Sequence, residues 1–573
     1  MAEASAGARL PAPREKFWDM FTPKLVTVMR EGYGRAALRA DALAGLTVAI
    51  VALPLSMAIA IASGATPQAG LFAAVVGGFV VSGLGGCRFQ IGGPAGAFIV
   101  LVAATIESRG YAGFLAATMM AGGFLLLIGY LKLGTYIKYI PHSVAVGFTA
   151  SIALIIFTSQ LHELFGLKLA HEPAAFLPKV AALWAVRTTA NPAAIGMAAA
   201  SLALILGLRL VAPRAPGLLL AIGLAGAATY LFGLPLETIG SRFGGIPNSL
   251  PMPGLPHVRP GELLDLVPAA MAMAMLGGIE SLLSAVVADG MTGRRHRSNC
   301  ELTAQGWANI ASALFGGLCV TGAIARTATN IRAGAHGPVA GLLHSVFLLA
   351  FMALAAPLAF YIPLAALAAV LMIVAWNMVE KDQIAMILRY DRGEALVLLA
   401  TALLTVFRDI TEGIAVGVTL GSLIFMHRMA QIVEVETQEK IFEDEDRPDD
   451  ALDSCDAGVP EHEHDPEFVV YRISGPFFFG AASMIAAALD HIGKKPKAFV
   501  LDLSRVPLAD GGAAHALHGF LDRERSHNVR VYICGASRGV RRTLIAHGIN
   551  SRTAHFSVDE DSAREHFLAH PTG

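Results

Sequence analysis

Charge is what this sequence has least of. Across 573 residues only 15% are charged, against 55% hydrophobic, and the mean hydropathy is +0.58. Soluble globular chains carry about 25% charge, so an ordinary soluble enzyme is excluded. A formal net charge of −1 leaves no basic excess for nucleic acid. The five cysteines (Cys87, Cys300, Cys319, Cys455 and Cys534) are odd in number and form no Cys-x-x-Cys pair. They read as reduced thiols, and neither a disulfide scaffold nor a structural zinc site is expected. The start, MAEASAGARLPAPREKFWDM, has no apolar core after a basic residue, so a cleaved leader is not expected. A P-loop is missing, which removes ATP-driven pumping of that kind. His162-Glu163 begins a zincin-like motif, but Gly166 stands where its second histidine would be. Gly535-Ala-Ser-Arg-Gly539 matches the nucleophile-elbow pattern. The domain around it is too short for that fold, and a strand-to-helix turn explains its glycines.

What is present are long charge-free runs. Residues 42–87 hold no charged side chain over 46 positions. About 20 apolar residues span a bilayer, and Gly64–Pro67 breaks this run, so it reads as two spans. Further runs cover 89–106, 110–131, 143–161, 188–208, 215–236, 264–290 (interrupted by Asp265, Glu280 and Asp289), 302–325, 333–379, 395–407 and 413–426. The run 333–379 is double length and breaks around Pro357–Pro363, and 302–332 also splits. The sum is fourteen helical segments. Without water in the hydrocarbon only helices or barrels span, and runs this long and unalternating exclude a barrel. An even count puts both termini on one side. That side collects seventeen Lys/Arg against seven on the other, which places the termini in the cytoplasm.

The chain divides into an N-terminal segment (1–40), a transmembrane region (41–429), a linker (430–467) and a C-terminal domain (468–573). The linker carries fifteen acidic and two basic residues and reads as solvated chain, in which His462 and His464 are part of the charge run. Beyond it, FVVYRIS, AFVLDLS and VRVYICG read as buried strands. MIAAALDHI, GGAAHALHGFLDRERSH and RRTLIAHGI read as helices, giving a small α/β domain.

Two segments inside the membrane region carry glycine or proline where a helix would be expected to continue: Gln90-Ile-Gly-Gly-Pro-Ala-Gly-Ala-Phe98 and Thr321-Gly-Ala-Ile-Ala-Arg-Thr-Ala-Thr-Asn330. Each is the third segment of its seven-helix half, and each opens a short helix. Interrupted helices at matching positions of two halves point to a midplane transport site. Helix N-termini carry roughly +0.5 charge each, so two of them facing each other make an anion site. Close helix packing is the plainer reading of the glycines. Glu280, inside MAMAMLGGIESLLSAVV, is a carboxylate in an apolar span, and such a group is a functional hypothesis by default. It can carry a proton, pair with Arg326, or do both. Ser284 lies one turn on and shares its face. Arg326, early in the second short helix, adds a permanent charge behind the anion site. Asp289 reads as a helix-end charge, and His142 and His344 as satisfied structural groups.

At these residues the chain resembles the SulP family of sulfate permease-type anion transporters, as a bacterial member with a C-terminal STAS domain. GLTVAIVALPLSMAIAIASGATPQAGLFAAVVGGFV, RFQIGGPAGAFIV, TGAIARTATNIRAGAHGPVAGLLHS and AFVLDLSRVPLADGGA carry the likeness. It implies fourteen transmembrane segments in two inverted seven-helix repeats, sorted into core and gate domains with a uracil-permease-like fold, and a cytoplasmic STAS domain. It implies no enzyme activity, no cofactor and a homodimer in the cytoplasmic (inner) membrane. Carried over residue by residue, Leu55, Ile59, Gly93, Ala95, Gly96, Gly322, Ala323, Ile324, Ala325 and Arg326 would line the substrate. Glu280 and Ser284 would take the coupling ion, a proton rather than sodium. The expected function is secondary active transport of a small anion (sulfate, bicarbonate or C4-dicarboxylate class) by an elevator-like movement. The alternatives are a sodium-coupled bicarbonate carrier, an anion exchanger, or a channel-like or sensory membrane protein signalling through its STAS domain. Two departures stand out. Gly92-Gly-Pro-Ala-Gly96 replaces the frequent Ser-Gly-Pro-Thr-Gly and loses two hydroxyl donors. Glu280 stands where sodium-coupled relatives have Asp. In the STAS domain Asp510 is followed by Gly511 and Gly512, so the phosphorylatable serine of related domains is absent.

Overall fold

The structure, a computed structural model, describes residues 20–137, 141–169, 173, 175–212, 216–408, 410–431, 434–436, 468–477, 497–526, 529–550 and 553–570. The chain packs as two compact units, 1–419 and 420–573.

The first unit is helical. A short helix α1 (Lys24–Glu31) precedes α2 (Arg35–Ala62) and α3 (Pro67–Leu84). The break between α2 and α3 falls where the sequence places it, with Pro67 in the first turn of α3, where a missing N–H is harmless. A two-residue strand β1 (Gly92–Gly93) and a tight turn (Gly96–Phe98) lead into α4 (Ile99–Tyr130). The two spans expected over 89–131 form this one run, broken at Gly110, whose φ of 70° is open to glycine and takes it out of helical geometry. Then come α5 (His142–Phe165), α6 (Pro192–Val211) and α7 (Gly217–Phe232). The second half holds α8 (Leu263–Thr292), α9 (Ser298–Leu314), strand β2 (Thr321–Gly322) and the nine-residue α10 (Ile324–Arg332). It closes with α11 (Val339–Ala359), α12 (Leu364–Met378), α13 (Arg392–Phe407) and α14 (Ile410–Gln431). Short helices at Phe176–Ala185, Ile239–Phe243 and Lys381–Tyr390 lie in stretches read from sequence as loops. Among the described residues, eight helices are long and apolar enough to cross a bilayer.

Where helix backbones approach most closely, the contact residues are glycine. A Cβ on Gly122 of α4 would meet the Gly306 carbonyl oxygen of α9 at 2.6 Å, and one on Gly306 would meet the Gly122 oxygen at 2.7 Å. Gly147 of α5 lies equally close to the Leu398 carbonyl of α13. Helices in lipid gain little from apolar burial and associate through such small-residue contacts.

The second unit contains a five-stranded sheet in the order β3 (Glu434–Glu436), β4 (Phe468–Ser474), β5 (Ala498–Arg505), β6 (Arg530–Cys534) and β7 (His555–Ser557). Only β3 is antiparallel to its neighbour. Helices α15 (Gly511–Ser526), α16 (Arg538–Ala546) and α17 (Glu560–Ala569) accompany the sheet. The three strands read from sequence are β4, β5 and β6. The expected helix MIAAALDHI and almost all of the acidic linker lie outside the described residues, as does Cys455; the other four cysteines are free and buried. Asp510 Oδ1 accepts the Ala513 N–H at 2.8 Å and so caps the start of α15. Arg472 Nε donates to Asp502 Oδ2 at 2.7 Å. Burial opposes ionisation of Asp502, but the Arg472 hydrogen bond and the Ser504 N–H outweigh it and hold its pKa below the ordinary 3.8.

Two outcomes follow. Gly122→Val is expected to lower the thermal midpoint by an amount equivalent to about 1–3 kcal/mol of overpacking. Gly123→Ala, at a position with open space around it, is expected to leave it unchanged. A carboxylate whose folded pKa is depressed stabilises above its unfolded pKa, and that contribution disappears as pH falls through the folded value. Amide exchange in β4 and β5 of the full chain is therefore expected to accelerate below about pH 4. In Asp502→Asn it is expected to be faster at neutral pH and flatter in that acid range.

Candidate functional site

The two interrupted segments meet. β1 and β2 pair antiparallel, with Gly92 opposite Gly322 and Gly93 opposite Thr321. The turn leading into α4 starts on one side of this crossing and α10 on the other, as two inverted halves would place them. Unwound backbone at this depth has no water to bond, so its polar groups need protein partners. Side chains of α8, α9 and α10 supply them. Asn309 bonds both ways to Val320, donating to its carbonyl at 2.8 Å and accepting from its N–H at 2.9 Å. Asn330 Nδ2 donates to Phe89 O at 2.9 Å, and the Ile91 N–H donates to Thr327 Oγ1 at 3.2 Å. The Gly322 N–H donates to Ser281 Oγ at 3.1 Å, Ser281 Oγ lies 2.7 Å from Thr321 Oγ1, and Thr321 Oγ1 donates to Gly277 O at 3.1 Å.

Of the three glycines at the crossing, Gly93 and Gly322 leave room for polar side chains. Gly93 has φ 157°, and a Cβ there would run into Arg326 Nη1. A Cβ on Gly322 would overlap the Gln90 amide. Arg326, the third residue of α10, is 3% exposed and reaches across to donate from Nη2 to Pro94 O at 2.7 Å. Its Nε and Nη1 are buried with no hydrogen-bond partner among the described residues. The first-turn N–H groups of a helix have no intrahelical acceptor. In α10 the first to bond back is Thr327, to Ala323 O, which leaves the donors at 324–326 without an intrahelical partner. The crossing therefore concentrates positive potential at its two helix starts.

The sequence-derived residues distribute as follows. Leu55 and Ile59 of α2 are buried in the same apolar cluster as Ala95, Phe98 and Ile279. Gly96 is half-buried, and a Cβ there would meet Ile156 Cδ1 of α5 at 3.0 Å and Met378 Sδ of α12 at 3.7 Å. Ala323 is buried, Ile324 half-buried and Ala325 exposed, so the start of α10 grades from packed to open. Ser284 is fully buried and donates to Thr327 Oγ1 at 3.1 Å. Glu280 Oε2 is buried without a hydrogen-bond partner. Glu280 and Arg326 interact electrostatically, but no direct ion pair joins them among the described residues. His344 departs from its expected role: it is 0% exposed on α11, and neither ring nitrogen has a partner among the described residues. His142 is exposed at the start of α5. Asp289 does more than end a helix, since its Oδ2 lies 2.7 Å from His296 Nδ1.

Sequence reasoning missed Ser281, Asn309, Thr327, Asn330 and Gln90. The signal available was their polarity within apolar stretches, but an uncharged polar residue there is common and points to no partner.

The sulfate permease family model matches residues 38–401, and a STAS domain model matches 459–563. The chain belongs to the sulfate permease family. It is an anion transporter, not an enzyme, and a multi-pass membrane protein. Among relatives of this family member, YvdB of Bacillus subtilis is 39% identical, with 91% of this chain and 95% of that one covered. The bicarbonate transporter BicA of Synechocystis is 32% identical over 88% of this chain and 90% of its own. The BicA transmembrane domain superposes with a TM-score of 0.60 at 31% identity, covering 67% of this chain and 98% of that one. Murine Solute Carrier 26 family member A9 superposes with a TM-score of 0.82 over 99% of this chain and 97% of its own; at 17% identity that likeness shows the fold.

Replacing Ser281 by Ala leaves the Gly322 N–H unbonded. The expected cost is about 1–3 kcal/mol, read as a lower thermal midpoint together with faster amide exchange at Thr321–Gly322. An unchanged midpoint and unchanged exchange would mean that the hydroxyl does not hold the crossing.

Proposed function

We propose that this transporter carries a small anion by proton-coupled symport, with the substrate held at the crossing and moved by an elevator-like displacement of the core domain. The observation that supports this most is Arg326: a buried guanidinium with two unbonded donor nitrogens beside two helix starts. Charge-assisted bonds to an anion would satisfy those donors. The lining proposed is Leu55, Ile59, Gly93, Ala95, Gly96, Gly322, Ala323, Ile324, Ala325 and Arg326. Glu280 is proposed to carry the proton and Ser284 to position the coupling site. A carboxylate in hydrocarbon is costly when charged, and Glu280 has an unbonded buried oxygen to hold a proton.

The fuller reading has fourteen transmembrane segments within 41–429, two inverted repeats, and a homodimer in the inner membrane. Its N-terminus, its acidic linker and its STAS domain face the cytoplasm, where the STAS domain supports assembly or binds a partner. The substrate is of the sulfate, bicarbonate or C4-dicarboxylate class. A bovine relative, 30% identical over 69% of this chain, bears the name sodium-independent sulfate anion transporter. A second reading is sodium-coupled bicarbonate uptake; the likeness to BicA, a bicarbonate transporter by name, bears on its substrate alone. The family resemblance implies an Asp at this position in sodium-coupled members, and the Glu280 of this chain weighs towards the proton.

The test uses purified full-length protein in sealed liposomes, with labelled sulfate, bicarbonate and fumarate and either a proton gradient, a sodium gradient or neither. Proton-driven accumulation of one anion is expected, and Glu280→Gln is expected to abolish the response to the gradient. Arg326→Gln is expected to weaken anion affinity roughly 10- to 100-fold, the equivalent of one lost charge-assisted hydrogen bond. Sodium-driven uptake would favour the second reading, and uptake by Arg326→Gln at parental affinity would remove Arg326 from the site.

A further inference from the structure

Away from the crossing, a cavity of about 590 Å³ opens in the apolar flank of the first unit. One wall is Leu53, Pro54 and Met57 of α2; another is α7 from Leu219 to Tyr230; a third is the C-terminal half of α11. Two helix-interior prolines, Pro54 and Pro357, face it. Each removes a backbone hydrogen bond and disturbs the helix around it. Gly223 and Gly226 put no side chain into the space at their two positions on the α7 wall. The only polar side-chain groups in the lining are the hydroxyls of Tyr230 and Tyr361, whose rings meet edge to face with centroids 4.7 Å apart. The lining residues Leu358 and Tyr230 are 73% and 63% exposed, so the cavity is a cleft open at the outer surface of the helices.

We infer that this cleft is a binding site for one acyl chain of a membrane phospholipid. The chain spans a bilayer, so what lies outside these helices is hydrocarbon, and an apolar cleft gives water no partners. The volume of about 590 Å³ lies within the roughly 300–1,000 Å³ of small-ligand sites, a size that one acyl chain fits. The tyrosine pair stands near the C-terminal ends of α7 and α11, and tyrosines collect at the headgroup level of a membrane. The mouth with its headgroup therefore sits at the tyrosines, and the tail runs inward past Met57 and Leu71. The leaflet is the one remote from the basic N-terminal end of α2. α7 packs on α6, α2 and α12, so the cleft lies beside the contact of α7 with α2 and faces the C-terminal half of α11.

The test uses full-length protein in liposomes containing a phospholipid with a photoreactive diazirine on one acyl chain. After irradiation, peptides covering 53–57, 219–230 and 351–359 are expected to carry several-fold more label than the lipid-facing stretch 206–211, where Leu210 and Val211 are 85% and 87% exposed. A Cβ on Gly223 has nothing within 4 Å, so Gly223→Phe enters the space without a backbone clash and is expected to lower that label several-fold. Gly207→Phe, at an equally open position on α6 outside the cleft, is expected to change nothing. Equal labelling of the cleft and of 206–211 in the parent would overturn the inference whether or not the variants fold. So would labelling by a free diazirine fatty acid but not by the phospholipid, or a folded Gly223→Phe that labels like the parent.

Discussion

Backbone unwound inside a membrane is tolerated only when protein satisfies every polar group that the helix has released. The crossing of β1 and β2 depends on this constraint. Asn309 takes the place of a neighbouring strand for Val320, Asn330 for the Phe89 carbonyl, and Thr327 for the Ile91 N–H. The relay from Gly322 through Ser281 and Thr321 to Gly277 ends on the α8 backbone. These bonds tie α8, α9 and α10 to one another around the crossing. They also decide which backbone donors are left free, namely those of the helix starts that open from it.

The charged groups follow from that arrangement. Arg326 projects from the first turn of α10 and is held by the Pro94 carbonyl on the opposite arm, over a glycine that leaves room for it. A side chain at position 93 would push it away. Glu280 sits next to Ser281 on α8, so the carboxylate and the hydroxyl that fixes β2 share one turn. A change of protonation at Glu280 therefore acts one residue from the clamp on the crossing. The charge of Arg326 is near but not directly paired, which leaves the guanidinium donors available to a third group.

Much of this was legible in the sequence, for reasons that differ by feature. The helices were readable because charge-free runs of bilayer length leave few alternatives; Gly64–Pro67 broke one run where the chain bends, and Glu107 and Arg109 divided another beside the bend at Gly110. The crossing was readable from Gly92-Gly93-Pro94 and Thr321-Gly322, because glycine and proline are conspicuous inside apolar runs. Glu280 and Arg326 stood out by charge alone. The supporting polar residues did not, because their partners are backbone groups as distant as Asn330 from Phe89 and Thr327 from Ile91, and pattern does not encode such pairings. The short helices at Phe176–Ala185 and Lys381–Tyr390 were hidden by charged residues that mark loops equally well. His344 read as an ordinary core histidine, and its unbonded nitrogens emerge only from the packing around it.

The central claim is that an anion is held at the crossing by the two helix starts and Arg326. The most direct measurement is a structure of the full-length protein soaked with selenate, located by its anomalous scattering, with bromide as a second probe. An anomalous peak is expected within hydrogen-bond reach of Arg326 Nη1 or Nε, facing the N–H groups at the start of α10, and is expected to be absent from Arg326→Gln under the same conditions. A peak confined to other sites, or one that persists unchanged at the crossing without the guanidinium, would contradict that claim.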